Sequence, residues 1–213
     1  MMKGYFISIE GGDGSGKSTQ LKKIEEYLSQ MGQEVVLTRE PGGTPVAEKI
    51  RELILDPRNR ALTARAEMLL YAACRAQHVE EKILPALAAG KTVLSDRFTD
   101  SSIAYQGFGR GLGAMVAEVN GIATGGLEPD LTIFLNITPA KGMARKKRED
   151  GHTLDRLELE KAAFHERVYE GYLALAKESG GRIAVIDADR VAEEVFADIQ
   201  KKLDELFGFS PCI

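Results

Sequence analysis

Cysteine is nearly missing from this chain, and so is histidine. Cys74 and Cys212 are the only cysteines, far apart in the chain, and His78, His152 and His165 are the only histidines, scattered among 213 residues. That argues against a disulfide framework and against a zinc site of ordinary ligand spacing, and it fits a reducing cytosol. Long apolar runs are missing as well. The stretch before Glu10 is too short for a signal-peptide core, and later runs are broken by charge well short of a membrane span. Positive charge is not in excess: 28 Lys and Arg against 32 Asp and Glu leave a net charge of −4. A nucleic-acid partner would call for a strongly basic face, so any basic cluster here is local. No repeat or low-complexity linker divides the chain. With 44% hydrophobic and 28% charged residues, the expectation is one soluble, cytoplasmic domain over 1–213, with neither a membrane nor a nucleic acid as partner.

What the chain does have is a regular alternation. Short β-type runs recur at Tyr5–Ile9, Glu34–Thr38, Thr92–Ser95, Leu131–Leu135 and Ile183–Ile186. Between them lie segments of helical periodicity, such as Leu21, Ile24 and Leu28, and later Leu173 and Leu175. This pattern predicts an α/β fold: a parallel β-sheet flanked by helices on both faces. Right-handed crossovers then place all strand C-termini along one edge, where open α/β sheets bind ligands.

The strand ends carry the chemistry. Directly after the first run comes Gly11-Gly12-Asp13-Gly14-Ser15-Gly16-Lys17-Ser18, which fits the phosphate-loop pattern G-x-x-x-x-G-K-[ST]. Glycines let backbone N–H groups curl around a polyphosphate, and the helix that follows aims its positive end at the same anion. Lys17 can reach the β- and γ-phosphates, and the Ser18 hydroxyl can ligate Mg²⁺. After the second run comes Thr38-Arg39-Glu40-Pro41-Gly42-Gly43-Thr44, and after the third Asp96-Arg97-Phe98. A carboxylate at such a strand end commonly holds Mg²⁺, and Arg97 can grip a second phosphate with its fork of donors. Taken alone, Asp96 and Arg97 read equally well as a surface ion pair. All three clusters are expected to line one crevice.

The residues also resemble a family. Leu94-Ser95-Asp96-Arg97-Phe98-Thr99-Asp100-Ser101-Ser102-Ile103-Ala104-Tyr105-Gln106 is similar to the signature segment of thymidylate kinases. Arg39 to Thr44 and Glu10 to Ser18 are similar to the bacterial branch. The resemblance implies a phosphate-loop nucleoside monophosphate kinase with a mobile lid, which moves the γ-phosphoryl of ATP onto dTMP with Mg²⁺ as cofactor, and which forms homodimers. It implies an acceptor site of Asp13, Glu40, Pro41, Tyr71, Arg75, Arg97, Ser102, Tyr105 and Gln106. Tyr71 would stack on thymine, where the family more usually has phenylalanine, and Arg75 would donate to the base. Their spacing of four puts both on one helix face, although such a pair is by itself more often core packing plus a surface arginine. Arg97 would clamp the dTMP phosphate, and Tyr105 would crowd the 2′ position.

The phosphate loop has no arginine at its variable positions, and in the bacterial branch a lid supplies the cations instead. The basic segment Arg145-Lys146-Lys147-Arg148, followed by Gly151 and Asp155-Arg156, matches such a lid at about 142–156. Lys17, Arg97, Arg148 and Arg156 are therefore the expected catalytic cations. They would neutralise charge that spreads over the transferring phosphoryl oxygens. A solvated charged helix face is the competing reading of the lid residues. Two alternatives share the phosphate loop: a kinase of another nucleoside monophosphate, and a nucleotide-binding switch with no second substrate. No Asn-Lys-x-Asp guanine-reading motif supports the latter.

Overall fold

The computed structural model describes residues 4–147 and 155–209. Five strands form: β1 (Phe6–Glu10), β2 (Val35–Arg39), β3 (Thr92–Asp96), β4 (Leu131–Asn136) and β5 (Ile183–Asp187). Each expected strand is present, and each runs one residue further than the apolar run, because the polar residue at its end is still paired in the sheet. They lie in the order β2-β3-β1-β4-β5, with every neighbouring pair parallel. The helices are α1 (Lys17–Gln30), α2 (Pro45–Leu55), α3 (Ala64–His78), α4 (Leu84–Ala88), α5 (Thr99–Ser102), α6 (Met115–Thr124), α7 (Pro139–Lys146), α8 (Ala162–Glu178) and α9 (Ala192–Phe207). Two π-helical turns interrupt them, Val79–Ile83 between α3 and α4, and Ile103–Gly109 after α5.

Central β1 is buried along its whole length, so it reads as a continuous apolar run rather than an alternating one. Ile7 and Ile9 pack with Leu21, Ile24 and Leu28 of α1 and with Val195, Ile199 and Leu203 of α9. On the other face Phe134 meets Tyr105, Phe164, Val168 and Tyr172. Of the helical residues read from periodicity, those of α1 are buried, whereas Leu173 is exposed. The inner stripe of α8 is instead Phe164, Val168, Gly171 and Tyr172, the i, i+4, i+7, i+8 spacing of one helix face.

The phosphate loop joins β1 to α1, with Gly16 at φ 92 as the residue that turns the chain into the helix. Gly14 has φ 70, and a Cβ there would strike the backbone of Gly142 in α7. Helix α7 therefore lies directly against the loop. No helix among the described residues is long and apolar enough to cross a membrane.

Candidate active site

One cavity of about 420 Å³ opens at the C-terminal edge of the sheet, lined from three sides by the strand-end clusters. The phosphate loop supplies one wall. Lys17 Nζ donates to the carbonyls of Gly11 and Gly12, each at 3.0 Å. Burial, with help from the positive charge of Arg97, brings the Lys17 amine down to about 8, against the pull of Asp96, Asp13 and Glu10. Asp13 lies 3.7 Å from Arg97 and 3.8 Å from Lys146. Burial works to raise its carboxyl, but Arg97, Lys17 and Lys146 hold it below the usual range. The loop is thus a cationic pocket around one ionised carboxylate.

The end of β3 supplies the second wall. Arg97 has φ 72, the one non-glycine residue among those described in the left-handed region, where a bulky side chain is strained and needs support. Its N–H donates to the Ile9 carbonyl at 3.0 Å, and Ser95 Oγ donates to its carbonyl at 2.7 Å. This turn swings the guanidinium into the cavity, where it lies over the Tyr105 ring at 5.1 Å. It donates to Ser101 Oγ at 3.1 Å, Tyr172 OH at 3.2 Å and Tyr105 OH at 3.3 Å. Next to it, Asp96 Oδ1 is buried and has no hydrogen-bond partner among the described residues. Ser18 lines the same cavity with its side chain exposed. An unpartnered carboxylate oxygen and an open hydroxyl beside a phosphate loop suit an oxygen-loving cation such as Mg²⁺.

The third wall belongs to α3 and the Ile103–Gly109 turn. Arg75 is 1% exposed. Its Nε donates to Glu40 Oε2 at 2.8 Å, Nη1 to Ser102 Oγ at 3.0 Å and Asn120 Oδ1 at 2.5 Å, and Nη2 to the Phe98 carbonyl at 3.1 Å. Four of its five N–H groups are therefore engaged, and one is left for the cavity that Arg75 lines. Glu40 precedes a cis peptide bond to Pro41. Both Glu40 oxygens are taken, by Arg75 and by His78 Nδ1 at 2.9 Å, so Glu40 holds the arginine in place. Gln106 donates to Glu67 at 2.9 Å, while its Oε1 is buried without a partner. Tyr71 and Tyr105 complete the lining.

Of the four expected catalytic cations, Lys17 and Arg97 line the cavity. Arg148 lies outside the described residues, as does the 148–154 part of the expected lid. Arg156 is buried and turned into the fold: it donates to the Ile54 carbonyl at 2.7 Å and to Glu67 Oε2 at 2.6 Å. It is not among the cavity's lining residues, whereas Lys146 is. A basic residue after a glycine-broken segment cannot be told from sequence to face a phosphate or a buried glutamate. Sequence reasoning also missed Arg51, Ser101 and Glu158 as lining residues, and named Asp155, also in the lining, only as part of the lid segment. It missed Glu10 and Tyr172, which lie just beneath it.

A family model described as thymidylate kinase matches residues 9–199. The chain belongs to the thymidylate kinase family. It is 51% identical over 208 residues to the thymidylate kinase of Lactobacillus delbrueckii subsp. bulgaricus, covering 97% of this chain and 98% of that protein. To the thymidylate kinase of Geobacillus sp. (strain WCH70) it is 48% identical, covering 97% of this chain and all of the relative. The crystal structure of thymidylate kinase from Ehrlichia chaffeensis superimposes with a TM-score of 0.75 at 31% identity, over 94% of this chain and 99% of that one. These thymidylate kinases match nearly the whole chain, and the family model's residues 9–199 take in all three walls of the cavity.

Proposed function

We propose that this chain is an ATP-dependent dTMP kinase, which transfers the γ-phosphoryl of ATP to dTMP and yields dTDP and ADP. The observation that carries the reading is the union, in one cavity, of a complete phosphate loop with a second site built to read a base. The base site offers one donor, the remaining Arg75 N–H, and one acceptor, the unpartnered Gln106 Oε1. Thymine presents an exocyclic oxygen and an adjacent ring N–H, which complement that pair. Cytosine presents an amino group and a bare ring nitrogen there, leaving both protein groups unpaired, a mismatch that a hydrogen-bonding site rejects by a factor on the order of 10⁴. Uracil differs from thymine by one methyl group, for which a pocket discriminates by only about 1–3 kcal/mol. dUMP is therefore a weak substrate.

Asp13, Pro41, Tyr71, Ser102 and Tyr105 surround the acceptor nucleotide, with Tyr71 against the base and Tyr105 beside the sugar. The acceptor is a phosphate oxygen that is already anionic, so no strong base is needed. Lys17 and Arg97 draw the two polyanions together and offset their repulsion, and Lys146 adds a third cation at the Asp13 side. Arg148 belongs to the same reading as a lid cation. Ser18 and Asp96 would hold Mg²⁺, which supplies charge neutralisation on the phosphate oxygens. The homodimer rests on the family resemblance alone, and the sparse cysteines support a cytoplasmic setting.

The test is ADP formation from ATP and Mg²⁺ with dTMP, dUMP, dCMP, dGMP, AMP, CMP, UMP and GMP in turn. Strong release with dTMP and weak release with dUMP is expected, together with its loss in Lys17→Ala. Equal release with dCMP would overturn the base-reading argument, and no release with any monophosphate would overturn the kinase.

A further inference from the structure

Glu10 is the last residue of β1, is completely buried, and does not line the cavity. Its Oε1 accepts the Phe98 N–H at 2.7 Å. Its Oε2 accepts Ser101 Oγ at 2.5 Å and Tyr172 OH at 2.9 Å. The two hydroxyl oxygens are 2.9 Å apart and both accept from Arg97 Nη1. Glu10 thus reaches Arg97 along two routes. The Phe98 N–H pins the backbone immediately after the strained φ of Arg97. The hydroxyls of Ser101 and Tyr172 turn their hydrogens toward the carboxylate and their lone pairs toward the guanidinium. A group that only accepts is what sets this polarity, since a hydroxyl whose hydrogen is taken by Glu10 is free to accept from Arg97.

Stability alone does not explain a carboxylate here. Burial, reinforced by the negative charge of Asp100, pushes the Glu10 carboxyl up to about 7, against the pull of Arg97 and of the bonds from Ser101 and Phe98. Asp100 is itself held by Arg182 at 2.8 Å and by Thr132 at 3.0 Å, so Arg182 does not relieve Glu10 directly. Keeping the charge at this position opposes folding, whereas orienting Arg97 gives it a use.

We propose that Glu10 is a positioning residue for the acceptor phosphate, acting through Ser101, Tyr172 and the Phe98 N–H to hold Arg97 in its phosphate-gripping orientation. This rests on the reading of Arg97 as the clamp of the dTMP phosphate. Glu10→Gln keeps the shape and the bond to Phe98 but replaces the Oε2 acceptor by an NH₂ donor. Ser101 and Tyr172 must then accept from the amide and turn their hydrogens toward Arg97. Tyr172→Phe removes one of the two hydroxyls, and with it one bond to Glu10 Oε2, while the carboxylate itself stays in place.

The experiment is calorimetric binding of dTMP and of thymidine, which has the base and sugar but no phosphate, to the full chain and to each variant. It is run at pH 8, above the Glu10 value of about 7, so that the group is a carboxylate. In the wild type dTMP binds more tightly than thymidine, and Arg97→Lys lowers that ratio. Equal binding of the two ligands by the wild type would instead remove the phosphate clamp, and this inference with it. Given a working clamp, Glu10→Gln is expected to weaken dTMP about tenfold or more, the scale of one lost charge-assisted hydrogen bond, while thymidine binding holds. Tyr172→Phe should move dTMP alone in the same direction by about threefold to tenfold. If both variants keep the wild-type ratio, or weaken the two ligands equally, Glu10 is structural and the inference fails while the clamp stands. If Glu10→Gln does not fold, Tyr172→Phe decides by the same criterion.

Discussion

The buried Glu67 should be the residue whose loss most damages the frame of this site. Its carboxylate has no exposed surface. It accepts from Gln106 at 2.9 Å, from Arg110 at 3.2 and 3.0 Å, and from Arg156 at 2.6 Å. Glu67→Gln removes the charge that balances two partly desolvated guanidinium groups and turns a donor toward them. Breaking a buried pair by removing one partner costs about 3–5 kcal/mol. For a chain of this size each kcal/mol shifts the melting temperature by roughly 2–4 °C, so a fall of about 6–20 °C is expected. Thermal and urea unfolding of the ligand-free protein would measure it. Arg156→Met should follow the same pattern, a lower melting temperature with turnover reduced by less than about tenfold, because the head group lies in the fold and not in the cavity. The double variant Glu67→Met/Arg156→Met should lose less than Glu67→Gln alone, since Arg110 keeps Glu160 at 2.6 Å. A Glu67→Gln protein that melts within 2 °C of wild type, taken as less than about 1 kcal/mol, would refute the reasoning. So would an Arg156→Met protein of unchanged stability whose turnover collapses, which would return Arg156 to the catalytic cations.

Three further outcomes are expected. Glu10, moved from 4.5 in the unfolded chain to about 7 in the fold, binds its proton more tightly when folded. Stability should therefore fall as pH rises between those values, by about 3 kcal/mol in all, because the ionised carboxylate is buried and faces the negative Asp100, which Arg97 only partly offsets. Urea unfolding of wild type and Glu10→Gln at pH 5 and pH 8 isolates this contribution, because constant costs of the amide cancel, and a wild-type minus variant difference that does not change with pH would refute it. Arg75→Lys keeps the charge but not the fork. It should weaken dTMP and thymidine alike by about tenfold or more while the KM for ATP holds, and an equal effect on ATP would contradict a base-reading role. In Gly142→Ala the new methyl meets the Asp13 carbonyl. Overpacking of about 1–3 kcal/mol should push the phosphate loop and raise the KM for ATP, and unchanged ATP kinetics would show that α7 can yield.

The sheet was legible because each strand is a compact apolar run bounded by polar residues, and the pattern fails only by one residue at each strand end. The phosphate loop was legible because its chemistry is local: neighbours in sequence remain neighbours in space. Asp96 and Arg97 gained meaning only beside that loop, and the Tyr71/Arg75 pair only through the family resemblance. Tyr172 was not, since it sits on a helical stripe with Val168 and Phe164, and nothing near it points to an arginine 75 residues earlier. Glu10 did leave a signal, an acid closing a mostly apolar strand, but its partners come from the turn after β3, from α5 and from α8. Arg156 shows the opposite case. A cation in a basic segment suggested a phosphate, and only the packing of α3 reveals Glu67 as its counterion. The Ile103–Gly109 π-helical turn, which brings Tyr105 and Gln106 into the lining, has no periodicity by which to recognise it.

The way Arg75 is tied down bears on inhibition and on escape from it. With Glu40, Ser102, Asn120 and the Phe98 carbonyl already attached, the guanidinium is fixed before any ligand arrives. A compound that offers an acceptor to its remaining N–H therefore has little ordering entropy to overcome on the protein side. The same bonds restrict resistance. Replacing Arg75 to evade such a compound strands the buried Glu40 carboxylate against His78 alone, so the escaping variant loses stability together with its grip on the base.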